Sequence, residues 1–195
     1  RRLKGDVNIA LVRADKLPEN DFYLPTGTLR DSRTRLKQVD AVIITHADRL
    51  NVGRERLWTS LGLKSETPIF YSSIRYGTPY MLNDSTVEAG IDENIFLVTG
   101  IAHPKPLVEH LEQLGCKVRH RAYRDHAPFS ENDVEQWKAT MLDAGIKMLV
   151  TTEKDAMRMK GLPHIEAVQI VVVPIEIQIQ DHEILLRLIS EKLNE

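Results

Sequence analysis

The chain has 195 residues, of which 42% are hydrophobic, so it can bury the core of one large domain or two small ones. Its 26 Lys and Arg residues nearly balance 28 Asp and Glu residues, so the chain has no overall electrostatic field that would favour binding to nucleic acid. The lone Cys116 excludes an intrachain disulfide and indicates a reducing compartment. No apolar run approaches the roughly 20 residues of a membrane span. We therefore predict a globular protein with no membrane-crossing segment and no nucleic-acid partner.

The first third of the chain contains two predicted strands, at residues 7–13 and 41–45. A loop punctuated by Pro, Asn and Asp separates them, and short helices are predicted near 31–38 and 54–61. The first strand follows almost directly on Arg1, and the chain does not begin with Met. We interpret the sequence as a fragment that enters a domain midway.

The pattern of predicted strands and helices changes around Gly77, in the middle of the chain. Two β-rich runs, 67–76 and 79–82, lie on either side of it and predict an antiparallel hairpin that links two lobes. Beyond Asn83, strands are predicted at 95–99, 117–123, 148–151 and 169–173, and helices at 104–114, 131–144 and 182–193. Ser130 and Asp133 form a predicted capping box, and Asp181 is the predicted cap of the last helix. This alternation predicts a βαβαβ unit and an α/β fold.

Polar residues follow the predicted strands at the points where they end. The cluster Thr152-Glu153-Lys154-Asp155 opens a helix after one strand, Asp125-His126 follows another, and His103 and the pair His46 and Asp48 follow two more. Carboxyl ends of parallel strands meet at one edge of a sheet, where α/β proteins bind ligands. These residues are therefore candidates for a shared site, although His46 and Asp48 receive no role.

Several common site patterns are missing from the sequence. A Walker A loop needs a Gly-Lys dipeptide, which this chain lacks, and no Gly-x-Gly-x-x-Gly fingerprint occurs. The histidines at 103, 110, 120 and 126 do not form a close ligand pair. We therefore predict no metal site.

Four segments resemble the tetraacyldisaccharide 4'-kinases of lipid A biosynthesis, in family order and over almost the whole chain. They are Leu24-Pro25-Thr26-Gly27-Thr28-Leu29-Arg30-Asp31 with Arg35-Leu36-Lys37-Gln38-Val39-Asp40, then Ile101-Ala102-His103-Pro104, Asp125-His126-Ala127-Pro128-Phe129, and Thr152-Glu153-Lys154-Asp155-Ala156. The last two are the most distinctive.

The resemblance implies a kinase that uses ATP and Mg²⁺ to phosphorylate the 4'-hydroxyl of a tetraacylated glucosamine disaccharide 1-phosphate, the lipid A disaccharide precursor. Such an enzyme works at the cytoplasmic face of the bacterial inner membrane. Residues 1–66 would be the C-terminal part of an incomplete P-loop lobe, 67–83 a two-stranded linker, and 84–195 a Rossmann-like lobe. The family's P-loop, its Asp-Asp-Gly-Phe-Gln-His segment and its apolar membrane element have no counterpart here. ATP, Mg²⁺ and the membrane would then be bound mainly by the missing half, and the soluble fragment alone would be inactive.

The resemblance also implies roles for particular residues. His126 and Asp125 match a catalytic turn, in which the family's His supports an Asp base from the part absent here. Arg30 matches an arginine suited to a phosphate, and Asp31 replaces the family's usual Glu. Lys154 opposes the helix dipole in a first turn, so we expect it to have a partner, either Asp155 or an acidic ligand group.

Other interpretations of the same residues stay open. Asp125 could cap the turn, with His126 as a satisfied polar side chain, and Thr152 could be only a helix cap. For the whole chain, the alternatives are a non-catalytic module that binds a nucleotide or sugar phosphate, and a glycosyltransferase-like lobe.

Overall fold

The structure, a computed structural model, describes residues 5–15, 33–50, 53–64 and 66–194. The chain forms two compact units, one from Arg1–Arg75 with Ile177–Glu195 and the other from Tyr76–Glu176. Each unit is built on one β-sheet with helices, which confirms the predicted α/β class.

The strands are β1 (Ile9–Arg13), β2 (Ala41–Thr45), β3 (Ile69–Tyr76), β4 (Tyr80–Met81), β5 (Asp84–Glu88), β6 (Asn94–Thr99), β7 (Lys117–Ala122), β8 (Met148–Thr152), β9 (Gln169–Val173) and β10 (Ile175–Ile179). The α-helices are α1 (Arg54–Leu61), α2 (Lys105–Gln113), α3 (Glu131–Asp143), α4 (Glu153–Met159) and α5 (His182–Leu193). Short 3₁₀ helices occupy Arg33–Gln38, Ala47–Arg49 and Ile165–Ala167.

The sheet of the first unit has the order β1-β2-β3-β10, and β1, β2 and β3 run parallel. Strand β2 consists of small and β-branched residues, of which the first four are apolar and buried. Leu57 and Leu61 of α1 belong to the hydrophobic cluster on one side of this strand, with Val42 and Ile44. Leu185 of α5 belongs to a separate cluster, with Ala41, Ile43 and Phe70. Since neighbouring strand residues alternate in direction, the two helices cover opposite faces.

The second unit has a sheet of order β5-β4-β9-β8-β6-β7, in which β7, β6, β8 and β9 are parallel. Helices α3 and α4 share one hydrophobic cluster with Phe96 and Val98, whereas α2 shares the other with Ile95 and Leu97. The chain winds outward from β6 to β7 and then returns to β8 on the other side of β6. In open α/β sheets such a reversal creates a crevice at the carboxyl ends of the two central strands.

The connection between β7 and α3 is held by an aromatic cluster. Trp137 is almost fully buried, and its Nε1 donates to the hydroxyl of Tyr123 at 2.9 Å. Tyr123 in turn donates to Asp133 Oδ1 at 2.8 Å. The ring of Phe129 lies edge-on to both aromatic rings, at centroid distances of 5.1 and 5.3 Å. The predicted capping box of Ser130 and Asp133 is present, so the start of α3 is fixed by local hydrogen bonds.

A hairpin is present, but not where the sequence predicted it. Strand β3 pairs with β2 in the first sheet, whereas β4 pairs antiparallel with β5, with Tyr80 opposite Glu88, and also with β9. The prediction that 67–76 pairs with 79–82 is therefore wrong. The run Ile69-Phe70 is buried beside the apolar β2, a partner that local β patterning cannot reveal.

The end of the chain also differs from the prediction. Strand β10 was not predicted, and α5 belongs to the first unit rather than to a lobe that extends to residue 195. Asp181 occupies the N-cap position of α5 but makes no side-chain cap hydrogen bond. Its φ of 54° lies in the left-handed region, whereas a capping side chain normally extends from a β-region backbone. The family lobe boundaries at 66 and 83 stay predictions.

We predict that the isolated chain self-associates through β1. Among the described residues β1 is an edge strand of its sheet, and its Leu11 is 70% exposed. Leu11→Lys should shift the chain toward monomer in sedimentation-velocity experiments, because a charge blunts edge pairing. Leu142→Lys is the matched control, since Leu142 is 84% exposed on a helix and should leave association unchanged. A monomeric wild-type chain at high concentration would contradict this prediction.

We also predict that Trp137→Ala lowers the free energy of unfolding by about 3–5 kcal/mol, because it empties the centre of the aromatic cluster. Leu142→Ala on the same helix should change it by no more than about 0.5 kcal/mol. Urea denaturation followed by circular dichroism measures both. Equal effects of the two substitutions would show that the cluster does not stabilise the second unit.

Candidate functional site

Three predicted site residues come together in the second unit, at the carboxyl ends of β7 and β8. Lys154 Nζ donates to Asp125 Oδ1 at 2.5 Å and lies 3.4 Å from His126 Nε2. The closest approach between Asp125 Oδ2 and His126 Nε2 is longer, at 3.7 Å. Asp125 and His126 are therefore joined through Lys154 rather than by a direct hydrogen bond. We call these three residues the polar cluster.

The polar cluster is accessible to a ligand. The side chain of His126 is 78% exposed, and those of Asp125 and Lys154 are about two-fifths exposed. The hydrogen bond from Lys154 lowers the pKa of the Asp125 carboxyl below its usual value, so this group is ionised at neutral pH. The cluster thus presents a carboxylate, an ammonium group and an imidazole on one surface.

His126 has an unusual backbone conformation. Its φ of 61° lies in the left-handed region, which histidine tolerates better than most residues other than Gly, Asn and Asp. The turn is closed by the amide of Ala127, which donates to the carbonyl of Arg124 at 3.0 Å. The position of the imidazole therefore depends on the shape of this short turn.

Two members of the Thr-Glu-Lys-Asp segment point into the protein instead of toward a ligand. Asp155 is 0% exposed and accepts hydrogen bonds from the Gly100 amide at 2.8 Å and from Thr152 Oγ1 at 3.0 Å. Thr152 is the N-cap of α4, because its Oγ1 accepts from the amide of Asp155. The cap interpretation of Thr152 therefore agrees with the structure, and the expectation that these two side chains face a ligand is wrong.

The partner of Lys154 also differs from the sequence expectation. It is Asp125, which lies 29 residues away in sequence, rather than the neighbouring Asp155. Asp155 instead forms a buried ion pair with Arg158, three residues further along α4. The dipole argument correctly indicated that Lys154 needs an acidic partner, but only the folded chain shows which one.

The remaining predicted residues lie outside the polar cluster or outside the described part of the chain. Glu153 is exposed and adds its charge to the effect of burial in raising the pKa of Tyr80. His103 is exposed in the loop between β6 and α2. Arg30 and Asp31 lie outside the described residues. In the first unit, Asp48 lines a cavity of about 440 Å³ together with Ala47, Tyr71, Ser72, Ser73 and Gln180.

Arg158 is a residue that sequence reasoning missed. Its Nη1 donates to the carbonyl of Ala127 at 2.5 Å, its Nη2 donates to the carbonyl of Gly100 at 3.2 Å, and Nη2 also contacts Asp155. The guanidinium carbon lies 4.7 Å from the centre of the Phe129 ring. The i, i+3 spacing of Asp155 and Arg158 was the available signal, because such residues are neighbours on a helix.

Two further properties follow from the described residues alone. No group of three or more His, Cys, Asp or Glu side chains within them converges to hold a metal ion. Within the same residues, every helix is too short or too polar to cross a membrane.

We predict that Lys154→Met raises the pKa of Asp125 toward the ordinary aspartate value of about 3.9, because the carboxylate loses its hydrogen bond. A carboxyl group with a lowered pKa stabilises the fold above its ordinary pKa. That contribution disappears as the pH falls through the lowered pKa. Because the substitution removes the contribution, the free energy of unfolding should depend less on pH in this window. Carbon-detected NMR titration measures the change. Lys147→Met, at the other end of β8, is the control, and an equal shift there would contradict the proposed pair.

Comparisons with known proteins support the resemblance. A family model described as LpxK, tetraacyldisaccharide-1-P 4'-kinase, matches residues 1–194. The tetraacyldisaccharide 4'-kinase of Flavobacterium johnsoniae is 32% identical over 165 residues, which cover 82% of this chain and 47% of the relative. That of Bacteroides thetaiotaomicron is 30% identical over 202 residues, covering 94% of this chain and 53% of the relative. The chain thus spans about half the length of the curated relatives it matches.

A solved structure shows the same fold. The crystal structure of LpxK from Aquifex aeolicus, described as an "apo" form in complex with ATP, matches with a TM-score of 0.64. The match covers 97% of this chain and 53% of that chain, at 18% sequence identity. Since the family model extends over nearly every residue, the chain belongs to the tetraacyldisaccharide-1-P 4'-kinase family.

Proposed function

We propose that these 195 residues are the C-terminal part of an ATP-dependent kinase that phosphorylates the 4'-hydroxyl of a tetraacylated glucosamine disaccharide 1-phosphate in lipid A biosynthesis. We further propose that they transfer no phosphate by themselves. Family membership supports the reaction class, and the polar cluster is the observation that carries the proposal to particular residues.

The polar cluster suits a supporting role in phosphoryl transfer. This reaction needs an acceptor for the proton of the attacking hydroxyl and positive charge near the phosphoryl oxygens. An imidazole can accept or donate a proton, and the exposure of His126 leaves it open to substrate. Lys154 contacts both Asp125 and His126, so it can fix their positions while supplying a positive charge. We assign Asp125 and His126 to the catalytic site and Lys154 to its support.

ATP and Mg²⁺ belong mainly to the part of the longer kinase outside these residues. The chain has no Gly-Lys dipeptide to form a phosphate-binding loop. When bound, Mg²⁺ would neutralise charge on the transferring phosphate. Arg30 and Asp31 are proposed to contribute to phosphate or substrate binding, on the strength of the family motif alone.

The acceptor's chemistry places the reaction at a membrane. A disaccharide with four acyl chains is held in a bilayer, because each buried CH₂ group contributes about 0.8 kcal/mol to the free energy of membrane binding. We therefore propose that the longer kinase acts at the cytoplasmic face of the inner membrane, and that its membrane contact involves residues outside this chain.

We predict that His126→Ala in the longer kinase lowers kcat by roughly 10- to 100-fold, which is no more than the smallest effects of general acid–base groups, because the proposed role is supportive. The assay uses ATP, Mg²⁺ and the acylated disaccharide 1-phosphate. His164→Ala is the matched control, since His164 is also exposed and has a similar φ of 63°. Wild-type turnover in folded His126→Ala would remove Asp125 and His126 from the catalytic site.

The isolated chain gives a second result in the same assay. We expect no phosphorylation above the rate without protein, because the residues that would bind the triphosphate are not among these 195. Turnover by the isolated chain would contradict that part of the proposal. If the longer protein were also inactive but bound a nucleotide or sugar phosphate in calorimetry, a non-catalytic binding module would replace the kinase assignment.

A further inference from the structure

We propose that Arg158 is a positioning residue for the reaction, because it holds the turn that carries His126. This inference rests on the proposed function for its connection to phosphoryl transfer. The attachment of the turn itself depends only on contacts within the second unit.

Helix α4 holds the turn at two points, one on each side of His126. Lys154 contacts Asp125, the residue before His126, and Arg158 donates to the carbonyl of Ala127, the residue after it. Both cationic residues lie on one seven-residue helix, so the separation of their Cα atoms is set by the helix backbone. The segment 125–127 therefore cannot move far from α4 without breaking one of these contacts.

The contact to Ala127 is partly buried, whereas the contact to Asp125 is exposed. The Arg158 side chain is 21% exposed and its ion-pair partner Asp155 is 0% exposed. Lys154 and Asp125 are each about two-fifths exposed, and an exposed ion pair contributes little free energy because solvent screens it. Arg158 is consequently the stronger of the two attachments.

Arg158 also fixes the turn to the end of β6. Its Nη2 donates to the carbonyl of Gly100, while the amide of Gly100 donates to Asp155. A Cβ atom on Gly100 would collide with Nη2 of Arg158. Glycine at this position therefore leaves the space that the guanidinium occupies, and a side chain there would push the guanidinium away.

The conformation of His126 gives a reason for such an attachment. A left-handed backbone at a residue other than glycine persists when the surrounding structure holds it in place. Without a fixed Ala127 carbonyl, the turn can relax to other conformations, and the imidazole then samples several positions. Catalysis depends steeply on position, since a displacement of 1 Å can lower the rate by about 100-fold.

An arginine is needed at this position because its planar fork reaches several acceptors in fixed directions. Lysine would keep the positive charge beside Asp155 but could not contact the carbonyls of Gly100 and Ala127 with the same geometry. Arg158→Lys therefore separates the positioning role from simple neutralisation of the buried carboxylate.

The test combines a structural readout with a kinetic one. In the 195-residue chain, NMR measures the pKa of the Asp125 carboxyl and the hydrogen exchange of the Ala127 amide for Arg158→Lys and for Gly100→Ala. Both substitutions should raise that pKa toward its ordinary value and speed that exchange by at least tenfold. In the longer kinase, both should lower kcat by roughly 10- to 100-fold, with KM for ATP changed less than threefold.

Leu111→Ala is the control for general destabilisation. Leu111 is buried in the hydrophobic cluster under α2, on the opposite face of the sheet from α4. This substitution should lower the melting temperature but leave the Asp125 pKa, the Ala127 exchange rate and kcat of the folded enzyme near wild-type values. If Leu111→Ala changed these readouts as strongly as Arg158→Lys does, the specific role of Arg158 would be overturned.

Two outcomes separate this inference from the proposed function. An unchanged Asp125 pKa and Ala127 exchange rate in folded Arg158→Lys and Gly100→Ala would overturn the positioning role, whatever the kinase does. A loosened turn with wild-type kcat would overturn the link between the turn and catalysis. The kcat of His126→Ala then tests the proposed function itself, because a wild-type value in that variant would remove His126 from the catalytic site.

Discussion

The buried ion pair between Asp155 and Arg158 is the interaction on which the candidate site depends. Asp155 accepts from the end of β6 and from the cap of α4, and Arg158 donates to the end of β6 and to the turn after β7. Removing one partner of a buried ion pair costs about 3–5 kcal/mol, because the other charge is left without compensation. One ion pair thus joins the ends of three neighbouring strands.

The topology of the second unit explains why this ion pair lies beside the polar cluster. The direction of winding reverses between β6 and β8. In open α/β sheets the connections that follow two such strands diverge and leave a crevice. The ion pair occupies the inner part of that edge, and the polar cluster lies at its solvent side. The inner layer is buried, and the outer layer is exposed to solvent.

Local rules in the sequence predicted local structure, apart from the cap expected at Asp181. The capping box of α3 and the cap of α4 need only neighbouring residues, and both are present. The family motifs correctly indicated the family. Pairing over longer distances was beyond these rules. Strand β3 lies beside β2 rather than forming a hairpin with 79–82, and Lys154 contacts Asp125 rather than Asp155. In both cases several partners satisfied the local pattern equally well.

The sequence by itself determined the α/β class, the family and the residues that follow each strand, because strand periodicity, helix caps and motif order are written along the chain. Only the tertiary structure decided which of those residues face solvent. Thr152 and Asp155 are buried, whereas Lys154 between them reaches Asp125 and His126. The reason is geometric: successive residues of a helix point in directions about 100° apart, and the packing of α4 against the sheet selects which of these directions is outward.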